Sequence, residues 1–300
     1  MTDTAAAVAD PAARLALAEL AAKHGLTVAG ARPSLAAYTG RLWSYRHFIS
    51  AYADARVVSA FSTARLGRLW QVLTPLTNAA VYYLIFGVVL NTKADVPNFI
   101  AYLCTGLFVF VFSQSAIQGG VQAITGNLGL IRALRFPRAC LPIAVTLTQF
   151  SNMVASIVVL VGIILVTGEP ISVEWLVVAP ALVLQSVFNA GIALVMARLG
   201  AKLADLKQLM PFIMRTWMYA SGVLYSVTLF ERHLPTWAAR SLEANPLLVY
   251  IELMRHALLE GAPLASSVPV LWALAIGWAL VAGIGGFVYF WRGEQEYGRG

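Results

Sequence analysis

Long stretches without charged residues alternate along the chain with short charged segments. Because the apolar core of a bilayer is about 30 Å thick, a helix needs roughly 20 apolar residues to cross it. The uncharged run at 96–131 is too long for one helix, and the pair Gly119 and Gly120, followed by polar residues, predicts an exit near Val121. The pattern predicts an all-α membrane protein with six transmembrane helices, at about 69–90, 99–121, 139–167, 175–197, 209–230 and 268–291.

The segment at 34–68 has a different pattern, with apolar and aromatic side chains on one face. They recur at steps of three and four residues, the spacing of one face of an α-helix. A helix that is rich in Tyr and Trp and too polar to span is typical of the membrane interface, and packing against a soluble partner is the alternative. Residues 1–33 are predicted to be a cytoplasmic tail. The stripe consists of Leu35, Tyr38, Leu42, Tyr45, Ile49 and Tyr52.

Apolar residues make up 59% of the 300-residue chain and charged residues only 12%. Because soluble domains carry about 25% charged residues, a purely soluble protein and a disordered chain are both excluded. In so apolar a chain, the net charge of +7 indicates a cytoplasmic membrane face rather than a nucleic-acid partner. The predicted inner segments hold 16 Lys and Arg and the outer segments four, so both termini are predicted to be cytoplasmic.

The sequence lacks the residues that enzymatic catalysis would require. The four histidines lie outside the predicted spans, Gly-x-Ser-x-Gly is absent, and no His, Cys or carboxylate grouping has metal-site spacing. A P-loop is absent, since none of the four lysines follows glycine. No carboxylate falls within a span, where ion-driven carriers usually have one. We predict no catalytic residue, no metal and no cofactor on this chain, and an energy source on another subunit.

The residues between the second and third predicted spans favour a cytoplasmic docking element. Arg132, Arg135 and Arg138 recur every three residues with no acid among them, so we expect them along one side of a short helix. Apolar residues separate the arginines, and Phe136 and Pro137 close the segment. The alternative is that these arginines only set the membrane topology of the chain. For Arg138 alone, this alternative is the preferred interpretation.

The residues at 231–267, between the fifth and sixth predicted spans, are too many for a simple turn. Within them, 245–261 are apolar but too few to cross the membrane, which favours a re-entrant or interfacial outer helix. Glu252 stands three and four residues before Arg255 and His256, so we expect these side chains to satisfy one another on a polar helix side. An ordered outer cap without a transport role is the alternative.

Four segments, in this order and topology, carry a resemblance to a known family. They are 65–75 at the first span, 130–142, 205–211 before the fifth span, and 245–261. The chain resembles the membrane subunit of ABC-2 type polysaccharide exporters, the Wzm and teichoic-acid permease family. Among these it looks most similar to the actinobacterial permease for lipid-linked galactan. Relatives often have proline in the fifth span where this chain has Gly222, so the resemblance predicts a less rigid kink here.

This resemblance implies a homodimer in a bacterial inner membrane that binds two ATPase subunits, which would hold ATP and Mg²⁺. The substrate would be a polyprenyl-diphosphate-linked glycan that moves outward. The amphipathic segment would be a gate helix at the lipid headgroups, 130–142 the coupling helix, and 245–261 part of an outer lid. The residues implied are Arg41, Trp43, Arg46 and Arg56 for the gate, Arg132, Arg135, Phe136, Pro137 and Arg138 for coupling, and Asn245, Pro246, Glu252 and Arg255 for the lid.

Aromatic residues on the first and fifth spans are candidates for the wall of a glycan channel. Sugar rings stack on aromatic faces, while phenol and indole groups bind hydroxyls. Anchoring toward lipid is the alternative for each of them. The candidates are Tyr82, Tyr83, Phe86, Trp217, Tyr219 and Tyr225.

Arg215 is the one charge inside a predicted span. Either its side chain snorkels to the inner interface, or its guanidinium binds the lipid diphosphate as the substrate enters past the gate arginines. Two other functions stay open at this point. One is an ABC-2 permease for a drug or small lipid, and the other is a six-helix membrane scaffold or enzyme without an ATPase partner.

Overall fold

The structure, a computed structural model, describes residues 33–61, 67–89, 96, 98–225, 235–294 and 297. The regular secondary structure of these residues is helical, and nearly all of the predicted tail lies outside them. In chain order the α-helices are α1 Leu35–Ser44, α2 Arg46–Phe61, α3 Trp70–Tyr82, α4 Phe99–Val121, α5 Leu128–Ala133, α6 Cys140–Val166, α7 Val178–Lys202, α8 Leu206–Ala220, α9 Thr236–Glu243, α10 Pro246–Leu258 and α11 Val268–Arg292.

Four helical segments are long and apolar enough to cross a membrane. They are α4, α6, α11, and α7 with the 3-10 turn that precedes it. They confirm the second, third, fourth and sixth predicted spans, and α4 ends at Val121 as the glycine pair predicted. At the first predicted span, α3 continues as a π-helix over Tyr83–Val89, and the apolar part of this helix is shorter. The count of six spans and their orientation stay predictions.

The fifth predicted span begins as α8 but ends earlier than expected. The helix stops at Ala220, and Gly222 has a φ of +58°, a left-handed conformation that favours glycine. The chain therefore turns at this glycine instead of continuing with a soft kink. The rest of this predicted span, 226–230, lies outside the described residues.

The core of the bundle surrounds α4, which is buried along most of its length and packs against α6, α7, α8 and α10. The closest helix pair is α7 with α11. Gly191 and Gly286 face each other across this pair, and neither position has room for a Cβ atom. Small residues allow backbones to approach in this way where lipid supplies no hydrophobic driving force between helices.

The amphipathic segment forms two helices, not the single helix that its pattern predicts. Tyr45 separates α1 from α2, with φ −90° and ψ 9°. The predicted apolar face is confirmed, because Tyr38 and Ile49 are buried while Trp43 is 71% exposed. This face packs on the chain's own helix α6, where the Thr148 hydroxyl donates to the Ala53 carbonyl at 3.3 Å.

Candidate functional sites at the two ends of the helix bundle

The predicted docking element is a short helix followed by extended chain. Helix α5 ends at Ala133, so Arg132 lies on it and Arg135 follows it, and the expected single helix side is wrong. Pro137 disfavours helical geometry at Phe136, and the helix ends three residues before that position. Arg132 and Arg135 are exposed, whereas Pro137 is buried.

The docking element rests directly on the predicted gate helix. The Phe136 and Phe48 rings lie 5.2 Å apart, and the Tyr45 hydroxyl donates to the Arg135 carbonyl at 3.0 Å. Tyr45, the residue at the break between α1 and α2, thus bonds the loop that follows α5. The two segments that the resemblance links to gating and coupling are therefore in contact.

A buried carboxylate joins three parts of the chain beneath these helices. Glu294 accepts hydrogen bonds from the Tyr38 hydroxyl at 2.7 Å and from the Arg138 backbone N–H at 3.0 Å. The Arg138 guanidinium also donates to the Glu294 carbonyl, and the Tyr38 oxygen accepts from the Ala139 N–H at 3.3 Å. We name Tyr38, Arg138, Ala139 and Glu294 the inner junction.

Opposing influences act on the ionisation of the acid in the inner junction. Burial raises the pKa of Glu294 above its ordinary value, although the Arg138 N–H, the Tyr38 hydroxyl and the Arg138 charge all lower it. Burial and the nearby carboxyl raise the pKa of the Tyr38 hydroxyl as well. Arg138 is thus a bonded part of the fold, and a topogenic role of its charge stays a prediction.

The gate residues present cationic and aromatic groups on the outside of α1 and α2. Arg41 and Arg46 are exposed, and the Arg46 guanidinium lies 5.5 Å from the Trp43 ring centre. The Arg56 guanidinium lies 5.8 Å from the Tyr52 ring centre. Guanidinium groups in such positions can bind phosphate oxygens with two parallel hydrogen bonds.

One aromatic candidate of the first predicted span, Tyr82, contacts the helix that begins the fifth predicted span. The Tyr82 hydroxyl lies 4.0 Å from the Met218 sulfur, which joins α3 to α8. Phe86 is 6.5 Å from the Tyr82 ring, while Tyr83 turns toward Phe99 on α4 at 6.4 Å. The Tyr82 face is therefore the part of α3 that adjoins α8.

The candidates on and after α8 have separate environments. The Trp217 indole donates to the Asn245 carboxamide oxygen at 2.9 Å, and the Tyr225 hydroxyl donates to the Tyr219 carbonyl. Tyr219 is 47% exposed, and Arg215 is exposed on the same helix. The two interpretations of Arg215, snorkelling and diphosphate binding, stay predictions.

A buried arginine at the other end of the bundle ties α10 to its neighbours. The Arg255 guanidinium is fully buried and donates to the carbonyls of Tyr102 at 3.3 Å, Gly222 at 2.9 Å and Val223 at 3.0 Å. Its central carbon lies 3.3 Å from the Tyr102 ring centre. We name Arg255 with these three residues the outer hub.

Glu252 does not pair with Arg255 on a polar helix side, because both side chains are fully buried and bind backbone elsewhere. One Glu252 oxygen accepts from the Ala265 N–H at 2.9 Å, and the other has no partner among the described residues. Burial raises the pKa of Glu252 to about 7, against the lowering effects of the Ala265 N–H and the Arg255 charge.

Asn245 and Pro246 begin α10 and attach it to the turn after α8. The Asn245 oxygen caps the helix by accepting from the Leu247 N–H at 3.2 Å, while its nitrogen donates to the Ala220 carbonyl at 3.0 Å. Proline suits the first helical position because its missing N–H would be unpaired there. This predicted lid segment is thus a tightly bonded helix within the bundle.

The described residues contain no group of three His, Cys, Asp or Glu side chains that could hold a metal ion. Cys104 and Cys140 are buried and free. With the geometry of both bundle ends established, the chain can be compared with known proteins. A family model for the ABC-2 type transporter matches residues 48–259.

The chain belongs to the ABC-2 type transporter family. It is 26% identical to the O-antigen export system permease protein RfbA of Myxococcus xanthus, over 77% of this chain and 91% of that protein. It is 25% identical to the polysialic acid transport protein KpsM of Escherichia coli, over 67% of this chain and 77% of that protein. The family resemblance drawn from the sequence is confirmed.

The range matched by the ABC-2 family model contains all of the outer hub but only part of the inner junction. All of the outer hub lies within residues 48–259, whereas Tyr38 and Glu294 of the inner junction lie outside them. Neither Glu294 nor Tyr102 is among the site residues predicted from the sequence. The sequence did contain a signal for Glu294. It is an acidic residue directly after the sixth predicted span, on the side of the membrane that is predicted to be basic, and this position indicates a carboxylate that pairs with a donor.

Proposed function

We propose that this chain is the membrane-spanning permease subunit of an ATP-driven exporter, which moves a polysaccharide outward across a bacterial inner membrane. The observation that carries the proposal is the contact between α3 and α8 at Tyr82 and Met218. The contact places Tyr82 against the helix that carries Trp217 and Tyr219, and aromatic faces of this kind can receive sugar rings. Family membership and the relatives named for O-antigen and polysialic acid transport support the same function.

The proposed substrate is a glycan linked to a polyprenyl diphosphate, and galactan is the glycan that the sequence resemblance favours. The exposed gate residues Arg41 and Arg46 and the exposed Arg215 support a diphosphate group, because guanidinium forks match phosphate oxygens. The substrate would contact these cations at the inner face before its sugars reach the aromatic residues.

The proposed complex contains two copies of this chain and two ATPase subunits, on which ATP and Mg²⁺ act. The exposed Arg132 and Arg135 would face the ATPase, and the contact of Phe136 with Phe48 would pass its movement to the gate helix. Both termini would be cytoplasmic, and α10 would be the re-entrant part of an outer lid.

Co-purification with the ATPase subunit tests the exporter proposal. The doubly charge-reversed variant Arg132→Glu with Arg135→Glu should lose the ATPase subunit in gentle detergent, because two exposed cations become anions. Lys202→Glu, an exposed reversal on the same side but outside the docking element, is the matched control and should retain it. A wild-type chain that never co-purifies with an ATPase would instead favour a scaffold or enzyme.

The substrate is tested by depleting the chain in its host and identifying which lipid-linked glycan accumulates inside the cell. Accumulation of a polyprenyl-linked glycan supports the proposal, and accumulation of a small lipid or drug alone contradicts it. In the reconstituted complex, Arg215→Ala should reduce the stimulation of ATPase activity by the lipid-linked glycan. Unchanged stimulation would remove Arg215 from the diphosphate path.

A further inference from the structure

A cavity of about 210 Å³ lies between α3, α4 and α6, apart from the proposed channel wall. Its lining includes Trp70 from α3, Phe112 and Ser115 from α4, and Gln149 and Asn152 from α6. Among the described residues, neither a charged side chain nor any of the aromatic channel candidates lines it. The cavity has room for about seven waters, which is also enough for one sugar ring.

The cavity lies deep in the predicted membrane layer. Gln149 and Asn152 follow the start of α6 at Cys140 by nine and twelve residues. At 1.5 Å of rise per residue, they lie about 14 and 18 Å along that helix. No bulk water supplies hydrogen bonds at this depth, and polar side chains placed there usually serve a substrate or ion.

The polar groups of the cavity retain donors for a ligand. The Asn152 amide nitrogen donates to the Gln149 amide oxygen at 3.0 Å. This bond uses the Gln149 oxygen, and the Gln149 amide nitrogen donates to no acceptor among the described residues. Ser156 is different, since its hydroxyl already donates to the Asn152 carbonyl at 3.0 Å.

The apolar part of the cavity is aromatic and only partly covered. Phe112 and Met153 are each 3% exposed and form its base, whereas Trp70 is 42% exposed at its edge. Aromatic faces receive the C–H faces of sugar rings, while amide and hydroxyl groups bind their hydroxyls. A phosphate would require a cation, and a purely apolar ligand would leave the Gln149 donors unpaired.

We propose that this cavity binds a neutral, polyhydroxylated ring in the inner half of the membrane. The inference that the ring is one sugar unit of the exported glycan rests on the proposed function. The polyol headgroup of a membrane lipid has the same chemistry and is the other source. The site would hold the sugar about 14–18 Å along α6 from the cationic inner face, before the channel wall at Tyr82.

Native mass spectrometry of the complete complex in phosphatidylglycerol nanodiscs tests this site. The two probes are a polyprenyl-diphosphate-linked disaccharide and phosphatidylinositol, added separately. Gln149→Leu keeps the side-chain size and suits a membrane helix, so folding is expected to survive. It should weaken retention of the disaccharide lipid about fivefold to tenfold, and Trp70→Leu should weaken it similarly. Gln118→Leu, a half-buried glutamine of α4 outside the cavity lining, should retain it fully.

The possible outcomes distinguish failure of this binding site from failure of the proposed function. Equal retention by Gln149→Leu, Trp70→Leu and the wild type overturns the cavity as a binding site, even if the disaccharide lipid binds. Retention of phosphatidylinositol that depends on Gln149, with none of the disaccharide lipid retained, supports the polyol site and contradicts the polysaccharide substrate. A wild-type complex that retains neither probe overturns the site itself.

Discussion

The inner junction and the outer hub each bury one charged side chain, and the two charges have opposite signs. Glu294 meets N–H and O–H donors at the start of α6, whereas Arg255 meets carbonyls just after the end of α8. Helix starts leave N–H groups unpaired and helix ends leave carbonyls unpaired. Each buried charge therefore satisfies a helix end of the complementary polarity.

The difference between the two sites lies in what they connect. The outer hub joins α10 to α4 and to the turn after α8, all within the bundle. The inner junction joins α1, the docking element and the segment after α11, which all flank the spanning helices. We expect changes at the outer hub to affect mainly stability, and changes at the inner junction to affect also the communication between the ATPase and the gate.

Arg255→Met should have the largest effect, because it removes the donor of the Gly222 and Val223 carbonyls and the second donor of the Tyr102 carbonyl in a dry site. We expect the free energy of unfolding to fall by about 3–5 kcal/mol, measured as a lower melting temperature in detergent. Arg215→Met, on the exposed side of α8, is the control and should change it by less than about 0.5 kcal/mol. An unchanged melting temperature for Arg255→Met would contradict the hub.

Glu252 and Glu294 are both buried acids, but they differ in how far their oxygens are bonded. Both Glu294 side-chain oxygens accept hydrogen bonds, whereas one Glu252 oxygen lacks a partner among the described residues. With its pKa raised from 4.5 to about 7, the folded protein holds a proton that the unfolded chain releases. The resulting stabilisation is complete below pH 4.5 and is lost as the pH rises through 7.

The expected loss over that pH range is about 3 kcal/mol of unfolding free energy, which melting temperatures measured in a pH series would detect. Glu252→Gln should flatten the profile, because the neutral amide does not titrate. Glu174→Gln, at an exposed acid before α7, should leave the profile unchanged. A wild-type profile that rises over this range would show the opposite sign and refute the buried-acid assignment.

Glu294→Ala should have an intermediate effect, since it leaves the Tyr38 hydroxyl and the Arg138 N–H without an acceptor. We expect a loss of about 1–3 kcal/mol and a reduced dependence of transport on ATP hydrolysis. Glu294→Gln keeps one acceptor oxygen and should lose less. The double-mutant cycle of Glu294→Gln with Tyr38→Phe should give a coupling energy of about 1 kcal/mol, and a value of zero contradicts the junction.

Tyr82→Phe should have the smallest effect on stability, within about 0.5 kcal/mol, because among the described residues its hydroxyl reaches only the Met218 sulfur, at 4.0 Å. The export rate of the glycan should distinguish it from Tyr82→Leu, which removes the ring. If sugars stack on this wall, Leu should slow export more than Phe. Equal rates for both variants would assign Tyr82 to helix packing alone.

The parts of the structure that could be predicted from the sequence depend on local patterns. The exit of α4 at Val121 follows from the glycine pair, and the buried face of α1 and α2 follows from the spacing of Tyr38 and Ile49. The bond from the Tyr45 hydroxyl to the Arg135 carbonyl could not be predicted, because the two residues are 90 positions apart in the chain. The end of α8 is intermediate, since Gly222 indicated a weak point but not a left-handed turn.

The sequence by itself determined a helical membrane chain, the positions of four spanning helices, and resemblance to a family that the comparison confirmed. These properties follow from the lengths of the apolar runs and from the positions of the charged residues between them. Both are local features of the sequence. Only the tertiary structure decided the partners of Glu294 and Arg255, which contact residues 256 and 153 positions away. A buried charge must be satisfied by whatever polar group the packing brings beside it, and no local pattern encodes that neighbour.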